Sequence, residues 1–572
     1  MHNRIHDFLD DAAANRGDTV AIHDYADRAF TWTELKAAAG EAEDLLRSRG
    51  LKAGDRLVMV FENCVSVPAF FYAASRMDAI IVPINARLTE AELQRIFAHS
   101  DPSVVMFSTD VSEAANAHAV HFGAEKVTGS FGEAALMRRE GADAEPVFAD
   151  GREQVALMLY TSGTTGTPKA AMLTHGNLNS AALASVKLRG RRDNDVTYLA
   201  LPLSHIYGFV ALLSAAVAQT TLRLEPRFDV ARLYEALQAD VTLLPGVPQM
   251  HAHLFHYARA HNKAKYDAGH LRFVSSGGAP LDPAWKREAE AFYGLPLQNG
   301  YGLTEGAAGV CATLNEIGDP DISVGRAMGE CVLRLDLEAL GAEPDKGIGE
   351  ILLGGPQVMK GYFRDPERTA EVMTADGFFK TGDLGRFDAE GRLLYPDSKE
   401  KRIQVKRYLT EHEEWAPASV FYRDRRAASG ALNKLMGAKV FDDPKSTDVL
   451  ARLFHAITDD GDLILDFFAG SGSTGQAVWE QNPKDGKTRR WILVQVPEKP
   501  GASEESGKNA LAAGYETIFE VTAERLRRAA ASLQQETLDA PQPGFRIFRT
   551  RPTNLIIEKP IIASAELTGQ GY

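Results

Sequence analysis

The stretch LMLYTSGTTGTPKAAMLTHGNL, residues 157–178, decides the fold of this chain. An apolar run leads into a turn of hydroxyl residues and glycines that ends at Lys169, and a helix-like segment follows. Glycines let backbone N–H groups approach phosphate oxygens, while hydroxyls and a lysine neutralise phosphate charge. The turn is therefore predicted to hold phosphates. It is not a P-loop, because Ala170 follows Lys169 where that motif has Ser or Thr.

The segments on either side of this turn predict an α/β fold. Four short apolar runs have the pattern of buried strands, and each is followed by a turn and a helix-like segment. These runs are VALMLY (155–160), TYLALP (197–202), VTLLPG (241–246) and LRFVSSGG (271–278). From Gly347 onward the strands are shorter and include a hairpin with a Glu-Gly turn at residues 385–396. This pattern predicts a small β-rich subdomain.

The pattern changes again after about residue 400. Residues 398–445 are charged and irregular, whereas residues 447–500 alternate helix, strand, helix and strand, as a βαβ unit does. This alternation predicts a partial Rossmann-like domain, followed by an amphipathic helix over residues 516–535. We therefore divide the chain into segments 1–346, 347–397, 398–445, 446–535 and a tail, 536–572.

Length and composition indicate a globular chain of several domains. A length of 572 residues is too great for one core, and the apolar content of 45% and charged content of 24% are ordinary. No apolar run approaches the ~18–20 residues of a membrane span, and the first 18 residues lack the apolar core of a secretory signal. Three cysteines without CxxC spacing predict neither a disulfide framework nor a zinc site. We expect a cytoplasmic protein.

Charge divides unevenly along the chain. The net charge is −14. Residues 1–400 hold 39 Lys and Arg against 54 Asp and Glu, a balance of −15, whereas residues 401–572 hold 24 against 23, a balance of +1. This acidity alone argues against nucleic-acid binding by the first part. The change of charge near residue 400 is consistent with a boundary there.

Six motifs follow one another in the first 400 residues. They are YTSGTTGTPKA (160–170), LPLSHIYG (201–208), SSGGAPL (275–281), NGYGLTE (299–305), GEILLGGPQVMKGYFRDPERT (349–369) and KTGDLGRFDAEGRL (380–393). With them, residues 5–397 resemble the acyl-adenylate-forming superfamily, which includes acyl-CoA synthetases, luciferases and adenylation domains. The resemblance implies ATP-dependent, AMP-forming activation of a small-molecule carboxylic acid, with Mg²⁺ and possible use of coenzyme A.

The resemblance also implies roles for individual residues. The β- and γ-phosphates would be held by Thr161, Ser162, Gly163, Thr164, Thr165, Gly166 and Lys169. The adenine pocket would be formed by Gly278, Ala279, Asn299, Tyr301 and Gly302. Catalysis would involve Thr304 on the α-phosphate, Glu305 as the Mg²⁺ ligand and His205 beside the carboxylate. Asp383 would accept both ribose hydroxyls. Val247, Gly277 and residues 205–209 would line the acyl pocket, whose small and apolar character suits an apolar or aromatic acid.

The first resemblance ends near residue 397. Ser398 stands where the family has an arginine that contacts ribose, and no PKTxxGK-like segment follows; residues 501–514 have only a Gly-Lys pair. The lysine that would bridge the carboxylate and the α-phosphate is therefore missing. Such a loss typically costs ~10²–10³-fold in rate. We expect ATP binding, weak adenylation and no efficient ligation to coenzyme A.

A second set of motifs occupies the remaining chain. It comprises IQVKRYLTEHEE (403–414), SVFYRDRRAASGALNKLMG (419–437), VFDDPKSTDVLARLF (440–454), DLILDFFAGSGSTGQAVWEQN (462–482), RRWILVQVPE (489–498) and PGFRIF (543–548). Residues 402–555 thereby resemble the C-terminal part of the modification subunit of type III restriction systems, a β-class amino-methyltransferase. The S-adenosylmethionine site implied by this resemblance comprises Lys445, Ser446, Asp466, Phe468, Gly470, Gly472 and Gln495, the last as a ribose contact.

The methyltransferase resemblance is incomplete as well. No [DN]PP[YFW] segment, which would hold a flipped base, occurs; residues 482–484 lack its second proline and its aromatic residue. The basic clusters Arg423–Arg426 and Arg525–Arg528 could contact DNA phosphates, although a solvated helix face is the better interpretation. Because the half-domain lacks neighbouring strands, we expect exposed strand edges over residues 462–500.

Four interpretations stay open at this point. The leading one is a chimera, natural or artificial, of an ATP-binding adenylation domain and a methyltransferase fragment, joined near residues 396–403. The second is an acyl-activating enzyme that borrows its lysine from another chain. The third is a DNA adenine-N6 or cytosine-N4 methyltransferase completed by a partner, and the fourth is a non-catalytic binder of ATP or S-adenosylmethionine. The acid, the DNA target and the oligomeric state are not determined by these motifs.

Overall fold

A computed structural model of the chain forms two compact units, residues 1–407 and residues 408–572, each treated by itself below. The structure describes residues 2–25, 28–140, 143–161, 169–190, 192–263, 265–278, 281–395, 425–501, 504–536 and 544–547. The junction predicted near residues 396–403 lies outside these ranges. Among the described residues, no helix combines the length and apolar character needed to cross a membrane.

The first unit contains eleven described α-helices and twenty-one described strands. The helices are α1 (His6–Arg16), α2 (Trp32–Ser48), α3 (Ser66–Arg76), α4 (Glu90–Ser100), α5 (Glu113–His121), α6 (His175–Arg189), α7 (Ile206–Ala218), α8 (Val230–Ala239), α9 (Pro248–Ala260), α10 (Pro283–Tyr293) and α11 (Pro366–Val372). The strands are β1 (Val20–His23), β2 (Ala29–Thr31), β3 (Arg56–Phe61), β4 (Ile80–Asn85), β5 (Val104–Phe107), β6 (Glu125–Gly129), β7 (Gly132–Arg138), β8 (Val155–Thr161), β9 (Lys169–Thr174), β10 (Val196–Leu199), β11 (Thr221–Leu224), β12 (Leu243–Gly246), β13 (Phe273–Ser276), β14 (Leu297–Leu303), β15 (Ala308–Ala312), β16 (Arg326–Ala327), β17 (Val332–Asp336), β18 (Gly349–Gly354), β19 (Gly361–Tyr362), β20 (Phe379–Phe387) and β21 (Leu393–Leu394).

Two large mixed sheets organise this unit. The first has the order β16-β15-β14-β13-β12-β10-β11-β1-β2, and its strands from β14 to β1 run parallel. The second has the order β19-β9-β8-β4-β3-β5-β7-β6, with a parallel centre from β8 to β5. The central strands are mostly apolar because parallel strands are covered on both faces; all six residues of β3 are buried, including its first residue, Arg56. The α/β prediction is confirmed, and the four predicted strands are β8, β10, β12 and β13.

The strands on either side of the phosphate-loop segment pair with each other in the second sheet. β8 pairs antiparallel with β9, and the last pair is Thr161 with Lys169. Helix α6 follows at once, and its first turn is fixed by a capping box in which Thr174 accepts from the Asn177 backbone while the Asn177 side chain accepts from the Thr174 backbone. Sequence order thus places strand, turn and helix as predicted, with a second strand, β9, between turn and helix.

A small antiparallel sheet of order β17-β18-β20-β21 closes the first unit. The hairpin predicted over residues 385–396 is present, with Arg386 paired to Leu394 and Phe387 to Leu393. The sheet begins earlier than Gly347, because the strand at Val332–Asp336 pairs with β18 along its whole length. That strand is short and half exposed, so its sequence lacks the continuous apolar run that marks the buried strands.

The second unit has five described helices and two described strands. They are α12 (Arg425–Met436), α13 (Thr447–Ile457), β22 (Leu463–Asp466), α14 (Ser473–Asp485), β23 (Arg490–Leu493), α15 (Glu505–Ala512) and α16 (Ile518–Glu536). β22 and β23 run parallel, in register from Leu463 opposite Arg490 to Asp466 opposite Leu493. This confirms the predicted βαβ order.

One face of this two-stranded sheet is covered and the other is open. Ile464 and Trp491 pack on a core of Ala451, Phe454, Ala477 and Val478 from α13 and α14. On the other face the exposed fractions are 52% for Leu463, 49% for Leu465 and 47% for Ile492. Within the described residues β22 and β23 pair only with each other, so each has a free edge, in agreement with the expectation from the sequence.

The two faces predict opposite effects of the same substitution. Ile464→Thr should lower the stability of the second unit by roughly 1–3 kcal/mol, because a methyl group is lost from the core and a hydroxyl is buried. Leu465→Thr should leave stability nearly unchanged and reduce binding of the dye ANS, because its side chain is half exposed. Thermal unfolding and ANS fluorescence check this. Equal destabilisation by both variants would show that both faces are covered.

Candidate nucleotide site

The site of the first unit lies where three parallel strands of the first sheet end. β12 and β13 pair up to Gly246 and Ser276, and β14 places Asn299 beside Ser276. Ligands of α/β sheets bind at the carboxyl ends of parallel strands, where loops and chain direction diverge. The residues that directly follow β12 and β13, Val247 and Gly277, therefore lie at one edge of the sheet together with Asn299.

Asn299 is buried and held by its neighbours, with one acceptor left over. Its side-chain Nδ2 donates to the Ser323 carbonyl at 2.9 Å, and its backbone N–H donates to Thr313 Oγ1 at 2.8 Å. Its Oδ1 is buried and has no hydrogen-bond partner within the described chain. Leaving a buried acceptor unpaired costs ~1–3 kcal/mol, so this oxygen is suited to accept from a ligand donor such as an exocyclic amine.

Tyr301 and Asp383 form a pair at the same edge. The Tyr301 hydroxyl donates to Asp383 Oδ2 at 2.6 Å, although the two residues come from β14 and from β20 of the small sheet. Burial raises the pKa of the Asp383 carboxyl, and the hydrogen bond from Tyr301 opposes that shift. Burial and the neighbouring carboxylate raise the pKa of the Tyr301 phenol, which therefore stays protonated as a donor.

A third group joins the phosphate-loop hairpin to the turn after β14. Lys169 Nζ lies 3.8 Å from Glu305 Oε1 and 4.1 Å from the centre of the Tyr362 ring. The Tyr362 hydroxyl donates to the same Glu305 oxygen at 2.8 Å. Burial lowers the pKa of the Lys169 ammonium, and Glu305 opposes that shift. A cation, a carboxylate and an aromatic ring thus meet at one point.

Sequence reasoning missed Tyr362 as a site residue. It lies in the motif GYFRDPERT, in the two-residue strand β19, which pairs with β9 next to Lys169. In the sequence, the only sign of a role for Tyr362 is that it is an aromatic residue inside a family motif. Nothing in the local pattern shows which strand the segment around Tyr362 pairs with. Gln357, also missed, donates to the carbonyls of Gly306 and Gly309 and so fixes the turn that carries Glu305.

Two predicted glycines are required by the backbone. Gly278 has φ +79°, which side chains with a Cβ rarely adopt. A Cβ on Gly302 would lie 2.2 Å from the Ala308 carbonyl oxygen, closer than any contact real Cβ atoms make. Thr304 and Glu305 follow β14 directly, in a single 3₁₀ turn, Thr304–Gly306.

His205 lies at the start of helix α7. Its Nδ1 accepts from the Tyr207 N–H at 3.2 Å, which caps the helix. The residue is exposed, yet the surrounding protein lowers the pKa of its imidazole and favours the neutral form. Tyr207 reaches across to Ser275, with 3.3 Å between the two hydroxyl oxygens. Its ring lies 3.5 Å from the position of a Cβ on Gly277, so these residues form one wall.

Several predicted positions lie outside the residues that the structure describes. In the first unit they are Ser162, Gly163, Thr164, Thr165, Gly166, Ala279 and Ser398. Among the described residues, Lys169 contacts Glu305, Tyr301 contacts Asp383, and Asn299 lies on the same strand as Tyr301. Their binding of a nucleotide stays a prediction.

Comparison with known proteins agrees with this geometry. A family model described as AMP-binding enzyme matches residues 9–363. The chain belongs to the AMP-binding enzyme family. It is 30% identical over 377 residues to the long-chain-fatty-acid–CoA ligase FadD13 of Mycobacterium tuberculosis, covering 64% of this chain and 73% of that protein.

Two solved structures are similar to this AMP-binding enzyme. The inhibitor-bound N-terminal domain of FACL13 from Mycobacterium tuberculosis is 26% identical, with TM-score 0.59, covering 69% of this chain and all of that one (100%). The o-succinylbenzoate-CoA synthetase MenE of Bacillus subtilis, in complex with its acyl-adenylate intermediate, is 25% identical, with TM-score 0.57, covering 69% of this chain and 78% of that one. Both similarities cover about the length of the first unit.

The second unit has a glycine-rich turn directly after β22. Asp466 holds this turn, because its Oδ1 accepts from the Phe468 N–H at 3.0 Å and its Oδ2 accepts from the Thr474 hydroxyl at 2.7 Å. Gly470 has φ +53° and Gly472 has φ +84°. A Cβ on Gly472 would lie 3.1 Å from the Thr522 side chain, so the turn packs closely on α16.

The remaining predicted residues of this turn differ in their surroundings. Phe468 is 89% exposed, so its ring projects into solvent beside the turn. Gln495 Oε1 accepts from the Gly470 N–H at 2.8 Å, which ties the end of β23 to the turn; its contact with ribose stays a prediction. Lys445 is exposed, and Ser446 is the residue before α13. A family model described as DNA methylase matches residues 374–517, which include this turn.

The interpretation of Arg525–Arg528 as a solvated or phosphate-binding face is wrong for Arg525. Its side chain is buried and donates to Ser471 Oγ at 2.6 Å, Ser473 Oγ at 2.8 Å and Gln476 Oε1 at 2.9 Å. Burial lowers the pKa of this guanidinium to about 10. The residue supports the glycine-rich turn from behind. The four-residue sequence could not reveal this, because burial depends on the packing of α16 against α14.

The Asp383 carboxyl predicts a pH dependence of stability. Because its folded-state pKa is raised above 3.8, the folded state binds more protons than the unfolded state between 3.8 and the raised value. The first unit should therefore gain stability through Asp383 as pH falls through that window. Relative to Asp383→Asn, the wild type should gain stability on acidification, and one unit of pKa shift corresponds to about 1.4 kcal/mol.

Calorimetric unfolding of the first unit between pH 2 and pH 8 measures this difference. Asp376→Asn is the matched control with the opposite sign, because hydrogen bonds from Thr374 and Arg334 lower the pKa of that exposed carboxyl. The stability of the wild type relative to Asp376→Asn should decrease as pH falls. A difference between wild type and Asp383→Asn that does not vary with pH would show that Asp383 is not desolvated.

Proposed function

We propose that the first unit binds ATP with Mg²⁺ and activates a carboxylic acid as its acyl-adenylate. The observation that carries this proposal is the unpaired, buried Asn299 Oδ1 beside the Tyr301–Asp383 pair, at the edge where Lys169 meets Glu305. Asn299 is an acceptor suited to adenine, Asp383 a carboxylate suited to ribose and Lys169 a cation suited to phosphate, so the set offers one group for each part of a nucleotide.

The reaction needs little from the protein beyond position and charge. A carboxylate oxygen attacks the α-phosphorus of ATP, a new P–O bond forms, and the bond to the bridging oxygen breaks as pyrophosphate leaves with the electron pair. Lys169 would neutralise the departing phosphates, and Thr304 would contact the α-phosphate. His205, in its neutral form, would orient the attacking carboxylate without forming an ion pair with it. Glu305 would supply one carboxylate oxygen to Mg²⁺, which takes its other ligands largely from phosphate and water.

Coenzyme A ligation and fast adenylation are not part of this proposal. The chain has no PKTxxGK-like segment after residue 397, so the lysine that would join the carboxylate and the α-phosphate is missing. The inhibitor-bound structure of the isolated FACL13 N-terminal domain supports ligand binding by such a unit without a second domain. We therefore propose nucleotide binding with slow acyl-adenylate formation, from a fatty or aryl acid.

Asn299 provides the sharpest test of nucleotide binding. Asn299→Leu should weaken Mg-ATP binding about 5- to 100-fold, because an amide that accepts from the base is replaced by an apolar group. Asn179→Leu is the matched control: Asn179 Oδ1 is also buried and unpaired within the described residues, but its Nδ2 donates to the His2 carbonyl, away from the strand ends. Titration calorimetry measures both.

The control should bind Mg-ATP as the wild type does. Wild-type protein that takes up neither Mg-ATP nor an acyl-adenylate mimic would end the proposal. ATP–pyrophosphate exchange with a panel of fatty and aryl acids then measures adenylation. Slow exchange supports the proposed reaction. Exchange at the rate of complete ligases would show that the missing lysine is supplied from elsewhere, as by a second chain.

We propose as a second candidate function that the second unit binds S-adenosylmethionine. The DNA methylase match over residues 374–517 and the strand–glycine turn–helix arrangement at 463–485 favour it. Gly470 and Gly472 give the turn the left-handed backbone that it requires, and Phe468 offers an unpacked ring face on which an adenine could stack. Methyl transfer to DNA would require a partner that supplies the missing [DN]PP[YFW] segment.

Substitution of Phe468 distinguishes an effect on ligand binding from an effect on folding. Phe468→Ala should leave the thermal unfolding midpoint unchanged, since 89% of the residue is exposed, and should weaken S-adenosylmethionine binding about 5- to 10-fold. Ile457→Ala, which removes another exposed apolar side chain (63% exposed), is the control and should not affect binding. Equal affinity of wild type and Phe468→Ala, measured by calorimetry, would remove the ring from the site.

A further inference from the structure

A cavity at the far edge of the second sheet is lined by basic side chains that no function above uses. It has a volume of about 330 Å³ and is lined by Arg49, Lys52, Asp55, Arg138, Arg139 and Glu140, among others. Pockets for small ligands begin at about this size, roughly 300 Å³. The cavity is therefore large enough for a compact anion with its water.

The cavity lies away from the nucleotide site. Its residues precede strands β3 and β5 or follow strand β7, whose last residue pairs with the first residue of β5. They therefore lie at the amino-terminal edge of the parallel strands, whereas Thr161 ends β8 at the carboxyl edge. A strand of six residues is about 20 Å long. The two sites are thus separated by about the length of β3.

Three of the four cations have no ion-pair partner among the described residues, although Asp55 and Glu140 also line the cavity. Arg49 is paired with Glu125 at 2.5 Å. Within the described residues, no carboxylate lies in ion-pair distance of Lys52, Arg138 or Arg139. Asp55 is buried, and its carboxylate accepts from the Lys52 N–H at 2.8 Å, so it serves the backbone of this turn.

The two guanidinium groups are held by contacts that leave their N–H groups available. Arg139 lies over the Phe97 ring at 5.8 Å. Arg138 lies against Gly50, where a Cβ would be 3.8 Å from its central carbon. A positive cluster is unexpected here, because residues 1–400 carry a balance of −15. Such a cluster in an acidic protein concentrates anions locally.

We infer that this basic cavity is a binding site for a small phosphate-bearing anion, separate from the nucleotide site. Arginine forks match phosphate oxygens in pairs, and a lysine adds a point charge. Phosphate is favoured over a monocarboxylate because three unpaired cations exceed the charge of one carboxylate. The inference goes beyond the proposed activation of an acid and does not depend on it.

Inorganic pyrophosphate is the probe for this site. The full chain is first saturated with a non-hydrolysable Mg-ATP mimic, which fills the triphosphate positions of the nucleotide site, and pyrophosphate is then titrated by calorimetry. One equivalent should bind, more weakly as NaCl is raised. The double variant Lys52→Ala/Arg138→Ala should lose at least tenfold in affinity. Lys263→Ala/Lys346→Ala, which removes two exposed lysines paired with Asp267 and Glu343, is the charge-matched control and should bind as wild type.

The outcomes separate this inference from the nucleotide proposal. If the mimic does not bind, the nucleotide proposal fails, while the difference between the double variant and wild type still decides the basic cavity. No heat from pyrophosphate, or equal affinity in the double variant and wild type, overturns the inference. Citrate binding as tightly as pyrophosphate overturns the assignment to phosphate. Loss of affinity on charge reversal at one residue, Arg138→Glu, with unchanged thermal unfolding supports it.

Discussion

The parallel pairing of β12, β13 and β14 is the constraint on which the nucleotide site depends. Its register brings Gly246, Ser276 and Asn299 to one level, so the turns that follow open at a common edge. The register is held by the backbone pairing and by the side chains that these strands bury, because a shift by one residue would exchange the side chains on the two faces of the sheet. The site is therefore fixed by the core, and the loops need only supply polar groups.

Two side chains from outside this sheet complete the site. Asp383 comes from the small sheet and Lys169 from the hairpin of the second large sheet, and each meets a residue of the β14 region: Tyr301 and Glu305. Burial disfavours both charges, as the raised pKa of Asp383 and the lowered pKa of Lys169 show. Each charge is held by one short contact, which leaves the remainder of its bonding capacity for a ligand.

In the second unit a turn likewise follows a parallel strand, but the described residues of this unit contain only two strands. Its two parallel strands bury Ile464 and Trp491 under helices, while Leu465 and Ile492 remain half exposed on the opposite face. Parallel sheets are ordinarily covered on both faces. The glycine-rich turn is nevertheless well formed, because Asp466 binds it from within and the buried Arg525 supports it from α16.

The sequence by itself determined the order of elements and the two family resemblances, and it supplied the residues predicted for the nucleotide site. It could do so because apolar runs mark buried strands and glycine-rich turns need specific residues. It did not reveal Tyr362, the burial of Arg525 or the strand at Val332–Asp336. Each of these depends on which distant segment a residue packs against, and a local sequence pattern does not specify that segment. Only the tertiary structure could bring Tyr301 to Asp383, because 82 residues separate them along the chain.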